Sequence, residues 1–329
     1  MLDVATVDRA AATRIRPEAR ARLLDALDGE RDIGLGPAPD VLLEQAIARY
    51  DAVLEVFPDD VDAWLEQGRA LAAFRRFMAD GREETRIDAA IAAYEHARSL
   101  DPSREAAFVA FELAVLRTRH GDYAAASAEY QRASELRELY PSMPQHRISR
   151  REFVLVYLFL PQSIESTLAN WAEVTMLAGD PTAAADRYRD ALAQARPASD
   201  SAALALWGLA LAQERSGSHA DAIETALRAI DGDHSAAHPT RADVVHRYGA
   251  FAILHVEGVF FEPACEIHAY ESLGHEALAQ RAATPEGRTA EWTAARLSAR
   301  FFLAEGGRAS IYAATASEAE ARLSQLLTH

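Results

Sequence analysis

The chain has 329 residues, half of them apolar, and a formal charge of −16 from 50 carboxylates against 34 cations. Every cation is an arginine and no lysine occurs. A Schiff-base or pyridoxal lysine and a lysine-closed phosphate loop are therefore excluded, and the acidic balance disfavours phosphate backbones and anionic membrane surfaces as partners.

Alanine, with 71 copies, is the commonest residue and has the best helix propensity. The single cysteine, Cys265, rules out an intrachain disulfide and a cysteine-paired zinc site. The first twenty residues lack an apolar core, so no signal peptide is expected and a cytoplasmic location is. A periplasmic location stays open if a leader has been removed. The longest apolar run, residues 153–160, is eight long, against about twenty for a membrane span.

In chain order, residues 17–27 read as an amphipathic helix opened by Pro17, and residues 30–40 as a linker. A pattern then begins in which a small residue is followed four positions on by an aromatic and three further on by another small residue. It reads Ala46, Tyr50, Val53, then Ala90, Tyr94, Ala97, with Pro58 and Pro102 five positions beyond. It returns as Ala126, Tyr130, Ala133, as Ala184, Tyr188, Ala191, and more weakly as Ala222, Ala226, Ala229. Offsets of four and three lie on one helix face, where small residues admit a neighbouring helix and the aromatic fills the gap beside them.

A second predicted helix precedes the later copies. Its best example carries Trp64, Gly68 and Leu71 on one side. Three of these helices end at Gly121, Gly179 and Gly217, each five residues before the next small residue, as left-handed caps do. The unit is helix, tight turn, helix, proline-assisted turn.

The insertion at 75–84 separates two helices of one unit. A longer one at 139–162 holds Pro141, Pro144, a basic stretch and the apolar run 153–160, which reads as an extra helix, a segment along the protein's own groove or a docking arm. Beyond Asp231 the pattern decays. Helices are expected near 241–260, 263–283, 289–305 and 317–327, with Leu273 and Gly274 placed like the signature pair of a first helix and Ser317 with Glu320 as a capping box.

The residues Trp64, Gly68, Ala90, Tyr94, Ala97 and Pro102, with Gly179, Ala184, Tyr188 and Ala191, make the chain resemble the tetratricopeptide repeat family. The resemblance implies an all-α fold, a right-handed superhelical solenoid of helix pairs with insertions and an irregular C-terminal helical region. Residues 1–40 would be an N-terminal helix and linker, 41–231 a solenoid of four to five units, and 232–329 degenerate repeats and capping helices. Successive alanines are 44, 36, 58 and 38 apart instead of the family's 34, so insertions interrupt the stack.

The first helix of each pair is expected to line an inner surface, where members of the family bind peptides. Helical phase assigns Leu65 and Arg69, then Phe108, Phe111 and Val115, then Ala169 and Glu173, then Leu204, Trp207 and Leu211 to that surface. The lysines and asparagines with which chaperone-binding members clamp a terminal carboxylate are missing there. A phase one position off would put Phe111 and Trp207 in the core instead, and the groove could be filled by the N-terminal arm or by residues 153–160.

The function expected is a non-enzymatic scaffold, without cofactor or metal, that binds an apolar helix or extended segment of a partner protein. The alternative is a self-assembling homo-oligomer that uses residues 141–162. More remote is a metal-dependent enzyme built on the late histidines, seven of which lie between His219 and His275. His234 and His238 are four apart beside Gly232 and Pro239, which argue against a helix there. Cys265 with His268 has the spacing of a nucleophile and base, but no orienting third group is evident.

Overall fold

A computed structural model describes residues 9–28, 37–78, 83–136, 163–238, 240–256, 259, 261 and 263–328. Among the described residues the fold is all-α apart from one short ribbon, and the chain divides into two compact units, Met1–Gln162 and Ser163–His329.

The first unit stacks three helix pairs: α1 (Arg9–Asp28) with α2 (Pro39–Val56), α3 (Val61–Ala73) with α4 (Ile87–Leu100), and α5 (Ala106–His120) with α6 (Tyr123–Glu135). The second stacks α7 (Ile164–Leu177) with α8 (Pro181–Gln194), α9 (Asp200–Arg215) with α10 (His219–Asp231), and α12 (Glu266–Arg281) with α13 (Pro285–Ala304). A short α11 (Ala242–Tyr248) follows α10, and α14 (Ala313–Leu326) ends the unit.

The repeated pattern is the core. All fifteen small and aromatic residues of the five copies are buried, on α2, α4, α6, α8 and α10. Two glycines record how closely the helices approach these aromatics. A Cβ on Gly68 would lie 2.8 Å from the Tyr94 ring, and one on Gly208 only 2.2 Å from the Tyr188 ring.

The tight turn has a specific chemistry. Gly121, Gly179 and Gly217 all have positive φ. At each, the glycine N–H and the next N–H close a Schellman motif on the preceding helix, as in Gly179 to Met176 and Asp180 to Thr175. At two of the three turns the residue after the glycine then caps the following helix: Asp122 accepts from the Ala125 N–H at 3.1 Å and Asp180 from the Ala183 N–H at 2.9 Å, whereas Ser218 makes no such bond. In Gly121–Asp122 and Gly179–Asp180 one dipeptide thus ends one helix and starts the next.

Several elements differ from the sequence expectation. The first helix begins at Arg9 rather than at Pro17, because Ala12, Ala19 and Leu23 are buried along it and this packing outweighs the proline's missing donor. It supplies the first helix of a pair for α2, which the repeat pattern alone lacked. The insertion at 75–84 contains β1 (Arg75–Phe77) and β2 (Glu83–Thr85), an antiparallel ladder with Arg76 opposite Glu84. Arg76 anchors it to Asp40 and Glu44 of α2.

The helix expected over 241–260 stops at Tyr248, where Gly249 turns left-handed, and a 3₁₀ segment (Gly249–His255) buries Phe251, Ile253 and Leu254. The last helix starts at Ala313, so Ser317 lies inside it and donates to the Ala313 carbonyl instead of capping. Residues 141–160, with the apolar run and both prolines, lie outside the described residues, as does most of the 30–40 linker.

Candidate interaction faces

In unit 1 the first helices of successive pairs are joined by arginine–carboxylate pairs. Arg16 of α1 meets Asp60 at 2.8 Å and Asp62 at 3.5 Å. Arg20 of α1 lies 3.7 Å from Glu66 of α3, and Arg69 of α3 pairs with Glu112 of α5 at 2.9 Å. The Arg69 guanidinium also sits 5.6 Å from the centre of the Phe108 ring. Arg69 and Glu112 keep 31% and 14% of their side-chain surface exposed, so this band of charge meets solvent. Beneath it Glu66 is buried and accepts a 2.7 Å hydrogen bond from the Tyr50 hydroxyl. Burial pushes the Glu66 carboxyl above the ordinary range, more than the Tyr50 bond and Arg20 pull it down.

In unit 2 the corresponding charges are internal. Arg215, at the end of α9, pairs with Glu266, at the start of α12, with only 2% and 4% of the side chains exposed. The Arg215 guanidinium lies 3.9 Å from the centre of the Tyr312 ring. Tyr270 is buried in the same region, and desolvation followed by the charge of Glu173 drives its hydroxyl pKa well above the usual value.

The cover over this region is α14. The Tyr312 hydroxyl donates to the Met176 carbonyl at the end of α7. Arg322 spans Glu276 of α12 with two hydrogen bonds, at 2.7 and 3.2 Å, and reaches Glu214 of α9 at 3.2 Å. A cavity of about 40 Å³ remains between α9, α12, α13 and α14. That is water-sized, far below the several hundred Å³ of a small-molecule site.

The helix pairs have counterparts among known proteins. The tetratricopeptide repeat model matches residues 43–79 and 174–240, which fall on α2 and α3 and run from the end of α7 to beyond α10. These two segments carry tetratricopeptide repeats. Solved structures similar to it include the crystal structure of MamA protein, at 18% identity and TM-score 0.43, covering 71% of this chain and 97% of that one. Another is the P58(IPK) TPR domain, at 15% identity and TM-score 0.36, covering 97% of this chain and 67% of that one. No curated protein matches the chain. Among the described residues, no helix is long and apolar enough to cross a membrane.

Within these repeats the residues assigned to the inner surface divide in two. Leu65, Phe108, Phe111, Trp207 and Leu211 are core residues. Trp207 is only 1% exposed and packs 5.9 Å from Phe251, while Phe111 meets Tyr130 edge-on at 6.0 Å. The reading in which Phe111 and Trp207 are core residues is the one their burial matches. The physical reason is that α5 and α9 are apolar around most of their circumference, so no single face stands out. Arg69, Val115, Ala169, Glu173 and Leu204 are partly exposed, and Leu204 and Ala169 pack against the unit 2 core.

The late histidines pair with carboxylates. His255 and His268 share Glu271, at 3.2 and 3.0 Å, and His268 also reaches Glu305 at 3.2 Å. His275 meets Glu291 at 2.7 Å. His234 and His238 flank a 3₁₀ turn rather than sharing a helix face. Cys265 is buried, and both ring nitrogens of His268 face carboxylates.

Arg215, Glu266, Tyr312 and Arg322 had no place in the sequence reading. Arginines near a helix end read as solvated, and nothing in the local pattern marks Arg215 as buried.

Proposed function

We propose that this chain is a non-enzymatic scaffold that takes a segment of a partner protein on the first-helix face of unit 1. The observation that carries the reading is the partly exposed band Arg16, Arg20, Arg69 and Glu112 on α1, α3 and α5, with partly exposed Val115 one turn beyond Glu112 on α5. The partner is correspondingly less greasy than a groove of Phe111 and Trp207 would demand, since both are committed to the core. A suitable segment carries charges of both signs around a small apolar centre. The excess of 50 carboxylates over 34 arginines favours one that is basic overall.

Co-purification from the native cell, quantified by mass spectrometry, tests this. A partner held by the wild type should be lost from an Arg69→Gln/Val115→Asp variant whose helical signal is unchanged. It should also wash off progressively between low and physiological salt, as contacts to exposed charges do. Equal recovery by the folded variant would remove this face from the account.

A further inference from the structure

We infer that the outward face of α13 is a self-association surface, on which a second copy of this chain lays its own α13 antiparallel about a two-fold axis at Thr293. The inference concerns unit 2 and stands whether or not the unit 1 face binds anything.

The helix α13 turns one face to its own unit. Ala295, Ser298, Ala299 and Phe302 are buried, and the Ala295 carbonyl accepts from the Ser272 hydroxyl of α12 at 2.9 Å. Glu291, and Glu305 at the helix end, are taken by His275 and His268 of α12. The opposite face reads Glu286, Ala290, Thr293, Leu297, Arg300 and Ala304, and all six are exposed. Alternating offsets of four and three are the spacing with which one helix meets another along a seam. Phe301 lies beside Leu297, and the two keep 44% and 49% of their surface in solvent. Two large apolar side chains one turn apart form a patch rather than a scatter.

The stripe specifies its own partner because its two ends are opposite in character. Glu286 stands seven positions before Thr293 and Arg300 seven after it, and neither is in an ion pair among the described residues. Pro285, Thr289, Ala290 and Thr293 floor a shallow depression along the N-terminal half, whereas the C-terminal half bears Leu297 and Phe301. Parallel docking of two such faces sets like charge on like and bulk on bulk. Antiparallel docking about Thr293 sets Glu286 against Arg300 of the partner subunit at both ends. It also brings Leu297 and Phe301 onto the partner subunit's shallow half, around its Ala290 and Pro285. The contact closes on itself, so the product is a dimer and not a filament. One helix face is a small interface, which makes the dimer weak and reversible.

Sedimentation velocity of the full chain over a concentration series tests this. Each copy carries −16, so the series is run at physiological salt, where repulsion between whole copies is screened beyond about 8 Å. A reversible dimer is expected, and Leu297→Asp should weaken it at least ~10-fold with the helical signal unchanged. Glu286→Arg sets arginine on arginine at both ends and should also weaken it ~10-fold, and adding Arg300→Glu to that variant should restore the wild-type constant. Because Cys265 is buried, single-cysteine cross-linking can read the register. Thr293→Cys is expected to form a covalent dimer on mild oxidation, and Arg300→Cys is not. A wild type that stays monomeric throughout the series overturns the proposal, and if Thr293→Cys is then also shielded from a maleimide, another segment of the chain covers the stripe. A dimer unmoved by Leu297→Asp, or a double charge swap as weak as the single one, overturns it as well and places the contact on another face.

Discussion

The two units use the same device at different depths. In unit 1 an arginine on one first helix reaches a carboxylate on the next, and Arg69 with Glu112 remains partly in water. In unit 2 Arg215 reaches Glu266 in the same sense, but Tyr312 and α14 close over them and the pair is dry. A pair that still meets water contributes less to stability than a dry one costs to break, and its exposed edge is available to a partner. A buried pair is costly to assemble and more costly to break, so it fixes how α9 and α12 meet. The cover, not the repeat, decides which of these an arginine becomes.

The largest effect should come from breaking the buried pair. Arg215→Met leaves Glu266 buried without its cation, and about 3–5 kcal/mol of stability should be lost in urea titrations. The double variant Arg215→Met/Glu266→Leu should recover most of that, because an apolar pair needs no desolvation. Arg69→Met in unit 1, where the pair still meets water, should cost less, about 1–2 kcal/mol. Losses of similar size in the two units would contradict the difference in depth.

Glycine-to-alanine changes sharpen the comparison at the packing level. Gly208→Ala would drive a methyl group into the Tyr188 ring, and Gly68→Ala would bring one to 2.8 Å from the Tyr94 ring. Overpacking of this kind costs about 1–3 kcal/mol. Gly208→Ala is expected at the upper end and Gly68→Ala at the lower, as read from thermal midpoints. The turn caps come next. Asp180→Ala and Asp122→Ala each remove one side-chain acceptor from a helix N-terminus and should cost about 1 kcal/mol in either unit.

The residues behind these effects differ in how plainly the sequence displays them. Tyr94, Tyr188 and their flanking alanines recur at fixed offsets, and Gly121, Gly179 and Gly217 mark the turns, so the helix pairs were legible. Legibility failed where local pattern carries no phase information. Phe111 and Trp207 sit in helices apolar on nearly every side, so their direction is set by neighbours distant in sequence, such as Phe251 for Trp207. The pairing of Arg215 with Glu266, fifty-one positions away, is likewise a tertiary fact. Ser317 and Glu320 show the opposite error: they fit a cap, but the helix had already begun at Ala313.

The smallest effect separates buried from exposed carboxylates by pH. Asp231 is held below the ordinary carboxylate range by its hydrogen bonds from Arg281. Its contribution is present above the unfolded pKa and is lost as pH falls through the lowered folded value. Asp231→Asn should therefore cost a few tenths of a kcal/mol at neutral pH, as an exposed pair does, and nothing in strong acid. Glu66 behaves with the opposite sign. Burial raises its folded pKa, so the folded chain takes the proton first, and stability gained from this group rises as pH falls toward that value. Glu66→Gln keeps an acceptor for the Tyr50 hydroxyl and removes the buried charge, so it should be neutral or stabilising at pH 7 and lose that advantage on acidification. A Glu66→Gln variant less stable than wild type at pH 7 and equal to it in acid would mean that Arg20, 3.7 Å away, outweighs burial. The unit 1 pair would then resemble Arg215 with Glu266 more closely than its depth suggests.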